Sequence, residues 1–180
     1  MSSMFGNSEN QSQSTYPIST SNSDIFGAIG AAKPREGAPY IIPGLYPILY
    51  IDALKIIKAR AGDTLAIAEF LVLKSTVAGR LDGSSMNWLC NFRHDATAGN
   101  IRSFLAAVMD VSVDEVDAEG AKYAYSESNP CCGRLVRCEA TEIITKVNQT
   151  PFTVCRWTSI PKDIQEKANS LKSELLQMPF

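Results

Sequence analysis

The sequence has no apolar run approaching the roughly 20 residues that a bilayer-spanning helix requires. Its first residues lack the basic-then-apolar pattern of an export signal. The expectation is a cytoplasmic protein with no membrane partner, in a compartment that keeps thiols reduced. Five cysteines, an odd count, suit free thiols better than a disulfide framework. The single histidine, His94, has no serine or cysteine nucleophile motif around it. Neither the P-loop pattern nor the glycine-rich dinucleotide pattern occurs. Glu139 and Glu142 stand at opposite strand parity, so they would not share a site. Cys90 and His94 lie four apart, Cys131 and Cys132 are adjacent, and Cys138 follows, but the spaced cysteine pair usual for zinc is missing. The reading is of a protein that is not an enzyme and needs neither metal nor cofactor.

Charge is also limited. Charged residues make up 20% of the 180, and the formal net charge is −2, which argues against coating duplex DNA by bulk attraction. The acids are unevenly placed. Asp110, Asp114, Glu115, Asp117 and Glu119 cluster without a base among them, leaving the strand-rich segments on either side slightly basic.

What is present is organised in three parts. Residues 1–39 are rich in Ser, Asn, Gln and Gly, with too few apolar groups to offset the entropy of ordering, and are expected to form a flexible arm. Its one apolar cluster is Ile25-Phe26-Gly27-Ala28-Ile29. Residues 40–161 carry the folded domain, and residues 162–180 form a polar tail with helical leanings. Within the domain, Pro43-Gly44 punctuates the start of a long strand over 45–58. Arg60-Ala61-Gly62-Asp63 is a turn, and 64–77 makes a second strand. A third strand over 85–93 alternates Met86, Trp88, Cys90 and Phe92 against Ser85, Asn87, Leu89 and Asn91. The period then changes, with Ile101, Phe104, Leu105 and Val108 at helical spacing behind Asn100 as the expected N-cap. Residues 111–119 form a short helix or an acidic loop, and 122–132 are irregular around Asn129-Pro130. Strands over 134–146 and 152–160 follow, joined by Val147-Asn148-Gln149-Thr150.

Three strands, a helix and two strands is the order of an OB-fold, a mainly β, five-stranded Greek-key barrel with its helix between strands three and four. The stretches "GLY", "RAGDTLAIAEFLVLKS" and "GRLVRCEATEIITKVNQTPFTVCRWTSIP" resemble phage replication proteins that bind single-stranded DNA with OB-folds. The resemblance covers about residues 44–161. It implies a non-catalytic, sequence-tolerant single-stranded-DNA-binding protein, able to self-associate. Met178-Pro179-Phe180 is similar to the Pro-Phe end of bacterial single-strand-binding proteins, which implies replication partners at the tail, although only Glu174 is acidic there.

Single-strand binders combine a positive groove with aromatic faces. The candidate rings are Tyr46, Tyr50, Phe70, Trp88, Phe92, Phe152 and Trp157, several of which must be core. Trp157 shares its parity with Thr153, Cys155 and Ser159, a face that reads as solvated, and is the expected stacking residue. The candidate cations are Arg60, Lys74, Arg93, Arg137, Lys146 and Arg156. The competing expectation is a structural or assembly protein, such as a virion component, whose arm threads onto a neighbour. A chain that starts near Tyr40 is expected to melt cooperatively at nearly the full-length temperature; a drop of tens of degrees would show that the arm packs on the domain.

Overall fold

The apolar run after Pro43 becomes β1 (Gly44–Lys58), a strand whose inward positions do not keep a strict period of two. Tyr46, Leu49, Ile51 and Leu54 are all buried. The step from 46 to 49 coincides with a register shift against its neighbour on one side. The step from 51 to 54 coincides with a shift on the other. Each shift is a bulge that bends the strand and changes which parity faces inward.

The computed structural model describes residues 39–144 and 149–177. The expected arm up to residue 38, Lys146, and Met178-Pro179-Phe180 lie outside the described residues. After β1 come β2 (Thr64–Lys74), β3 (Ser85–Asn91), α1 (Ala96–Met109), a 3-10 turn (Val113–Glu115) and α2 (Ala118–Ala124). β4 (Leu135–Ile144), β5 (Pro151–Ser159), α3 (Lys162–Gln165) and α4 (Ala168–Gln177) complete the order. The protein is mainly β, and α1 lies between the third and fourth strands as expected.

All five strands join one antiparallel sheet in the order β3-β2-β1-β4-β5. Where the strand order suggests a closed barrel, the sheet is open, with β3 and β5 at its two edges. The edge of β3 is already occupied. The Asn87 N–H donates to the Pro39 carbonyl and the Ile41 N–H donates to the Asn87 carbonyl, both at 2.9 Å. A strand closing on β3 would have to displace that segment. Pro39, at the expected end of the arm, is therefore tied to the domain.

Element ends also differ from expectation for local reasons. β2 stops at Lys74 because the Asp82 carboxylate takes the Ser75 N–H at 3.0 Å and turns the chain. β3 stops at Asn91, whose amide oxygen accepts from the Arg93 N–H at 2.9 Å. α1 begins at Ala96 rather than after Asn100. The Thr97 hydroxyl donates to the Asn91 carbonyl at 2.6 Å and ties the first turn to the end of β3.

The sheet is covered on both faces. On the inner face Ile101, Phe104, Leu105 and Val108 of α1 pack on Tyr46, Leu49, Phe70, Val72, Met86 and Val136. On the other, α3 and α4 bring Ile164, Ala168, Leu171 and Leu175 onto Tyr50, Leu71, Leu73 and Leu135. Cover on both sides explains why Phe70, Leu71, Val72 and Leu73 of β2 form a continuous buried run. Lys172 fastens α4, reaching Asp52 at 2.8 Å and lying 4.3 Å from the centre of the Tyr50 ring. Among the described residues no helix is long and apolar enough to cross a membrane.

The loop before β4 contributes a substitute partner for β1. Asn129, with a left-handed φ of 46°, accepts from the Leu54 N–H at 2.8 Å and donates to the Leu54 carbonyl at 3.1 Å. Its amide therefore acts as one more residue of strand pairing. Asn129→Ala would leave both Leu54 groups unpaired beside a buried side chain. It is expected to cost about 1–3 kcal/mol, read as a lower denaturant midpoint with an unchanged slope.

Candidate nucleic-acid interface

The two sheet edges approach each other through side chains. Trp88 of β3 and Trp157 of β5 have ring centroids 5.0 Å apart, and Phe104 of α1 lies 4.9 Å from Trp157. Phe70 stacks on Trp157 at 5.6 Å. The seam is thus an aromatic cluster rather than a hydrogen-bonded ladder.

Trp157, the expected stacking residue, packs partly into this seam. Its face is the inner one, because β4 sets the register of β5. Trp157 pairs with Cys138 and Cys155 with Ala140, and both β4 residues are buried. Thr153, Cys155 and Ser159 make the face read as polar, yet they are small, and α1 fills the space they leave. The Trp157 indole nitrogen is buried without a hydrogen-bond partner. Trp157 packs in the seam while staying partly exposed, and it lines a second cleft with Asn100, Val154 and Arg156. Trp157→Ala is expected to cost about 3–5 kcal/mol of stability, measurable by chemical denaturation.

Beside the seam lies a cleft of about 400 Å³. Residues 87–91 of β3 and Tyr40 form one wall, residues 152–155 of β5 form the other, and His94, Thr97 and Asn100 close one end. Two rings stand out of this cleft, Tyr40 at 64% exposure and Phe152 at 52%. His94 and Asn100 are also exposed. Strand alternation places Phe152 on the opposite parity from Trp157, so Phe152 projects outward while Trp157 packs against the core. Asn91 is engaged, donating to Asp63 at 3.1 Å.

The expected cations fall into separate groups. Arg60 is exposed in the turn between β1 and β2. Arg93 pairs with Asp63 of the same turn and is next in the chain to His94 at the cleft. Arg137 and Arg156 share the outer face of the β4–β5 ribbon, opposite Thr158 and Glu139 respectively. Lys74 is paired with Asp82 at 3.1 Å, at the other end of β2 from the Asp63 turn. The structure thus ties Arg93 to the turn that carries Arg60, sets Arg137 and Arg156 on one ribbon face, and keeps Lys74 apart. Tyr40 escaped the sequence reading because it was taken as a domain boundary. The apolar run Tyr40-Ile41-Ile42 directly after the polar arm was the available signal.

The buried thiols of Cys90 and Cys138 are chemically quiet. Burial pushes the Cys90 thiol up to about 12. A hydrogen bond with Cys155, together with burial, raises Cys138 well above the usual thiol range. Groups of this kind stay protonated near neutrality and make poor nucleophiles. Among the described residues no three His, Cys, Asp or Glu side chains gather where they could hold a metal ion. No protein-family model matches the sequence, and no curated protein matches it.

Proposed function

We propose that this chain binds single-stranded nucleic acid, with single-stranded DNA as its main ligand, and does so without catalysis and with little sequence preference. The observation that carries the reading is the cleft between β3 and β5, flanked by the exposed rings of Tyr40 and Phe152. Base stacking on such rings tolerates any base, because every base has a π face. The exposed Asn100 and His94 add hydrogen-bonding groups at the end of the cleft. Arg93 and Arg60 on one side, with Arg156 and Arg137 on the other, supply the charge that would follow the backbone. The stacking role moves from Trp157 to Tyr40 and Phe152.

The architecture supports the same reading. We read the order β3-β2-β1-β4-β5, with α1 between β3 and β4, as an OB-type Greek-key arrangement left open between β3 and β5. A phage replication module is the setting that the sequence resemblance suggests, with a cytoplasmic site of action. The rival reading, an assembly protein, draws on the apolar residues exposed at the far end of the β4–β5 ribbon.

Fluorescence anisotropy with a labelled oligo-dT tests the proposal at two salt concentrations. Tyr40→Ala and Phe152→Ala should each cost about 1–3 kcal/mol of affinity, roughly a five- to 150-fold weakening. Arg93→Ala and Arg156→Ala should each lower the salt slope by about one, for one phosphate no longer neutralised. Absence of binding, or affinity unchanged in both ring variants, would overturn the reading and favour an assembly role.

A further inference from the structure

β4 outruns its neighbour. Its last residue paired with β1 is Ala140, opposite Gly44, where β1 begins. Beyond that point Thr141, Glu142, Ile143 and Ile144 pair only with β5, opposite Val154, Thr153, Phe152 and Pro151. Among the described residues, the β4 edge of this arm pairs with no third strand. Ile143 is 46% exposed and Ile144 64%. A two-stranded ribbon is marginal by itself, and an open apolar edge invites pairing with another chain.

Among the described residues an apolar groove of about 330 Å³ is left open, lined by Ile56, Phe92, Ile101, Leu105, Val116 and Tyr125. Phe92 is 43% exposed there. Arg102 and Lys122 stand on the groove wall with one acid, Asp117, whose carboxylate accepts from the Gly120 N–H at 2.7 Å. The charge balance of the groove is therefore positive. Glu142 is the one charged residue among the described residues of the arm, 141–144 and 149–154.

Arm and groove flank the first half of one helix. Thr97 and Asn100 of α1 face the root of the arm at residues 152–155, while Ala98, Ile101 and Arg102 face the groove. α1 stands between a chain's own arm and its own groove, so the two surfaces are placed to meet across a two-fold axis rather than within one chain. A two-fold contact is reciprocal, and it would cover both surfaces of both copies at once.

We propose that two copies of this chain associate by exchanging arms. Ile144 of each copy seats in the groove of the other, with Glu142, on the same strand face, facing Lys122. Phe152 pairs with Ile143 on the opposite face of the ribbon from Glu142 and Ile144, so this association is independent of whether the cleft binds nucleic acid. Sedimentation velocity of the full chain, from low to high micromolar concentration, should show a concentration-dependent dimer. Ile144→Lys and Phe92→Lys, both at exposed positions, should each abolish it while leaving circular dichroism and the melting temperature intact. Glu142→Lys should weaken the dimer by about tenfold or more, since like charges across an interface are strongly unfavourable. Lys122→Glu in the same chain should restore it. A monomer at every concentration, a dimer that survives either lysine substitution, or a double charge reversal no better than Glu142→Lys would overturn the proposal.

Discussion

The backbone pairing of β1 on both of its edges is the constraint from which the rest of the structure follows. Its first half joins β4 and its second half joins β2. Two bulges let one strand serve both neighbours, at the cost of regular alternation. Because β1 is bent, the β2–β3 part of the sheet and the β4–β5 part present their inner faces toward a common core. α1 then fills that core with Phe104 and Leu105, both fully buried. Tyr46 shows how firmly the start of β1 is held. Its ring is buried, which raises its hydroxyl pKa, and that hydroxyl donates to the Ile42 carbonyl at 2.9 Å.

Much of this was legible in the sequence because it is local. The β3 alternation of Met86, Trp88 and Cys90 and the helical spacing of Ile101, Phe104, Leu105 and Val108 both proved to mark buried faces. Strand existence followed from patterns within single segments. Element ends differ for local reasons, whereas the larger differences are long-range. The inward face of β5 is set by its register against β4, and nothing within residues 151–159 reveals that Cys138 and Ala140 are the buried partners. The openness of the sheet depends on residues 39–41 reaching Asn87, a contact between segments far apart in the chain.

The candidate site shows the same division. Residue type identified aromatic rings and cations as the groups to watch, and Phe152 was among the rings considered. Which ring is free depends on a one-residue difference in strand parity, which sends Trp157 inward and Phe152 outward. The cations illustrate a further limit. Lys74 and Arg93 look alike as charged residues near strand ends, yet each is committed to a different acid, Asp82 and Asp63. A surface ion pair of this kind contributes little to stability. Its effect is to orient a side chain, and that orientation is invisible in composition.

The aromatic seam gives the molecule an optical property. The chain has two tryptophans, and both lie in the seam, with their rings 5.0 Å apart and inclined at 65°. Indoles at this separation couple their electronic transitions, producing a paired positive and negative band in circular dichroism whose size depends on distance and angle. One indole belongs to β3 and the other to β5, the two edges of the open sheet. The protein thus carries a built-in spectroscopic ruler across its own opening, needing no label and responding to any event that spreads or closes that gap.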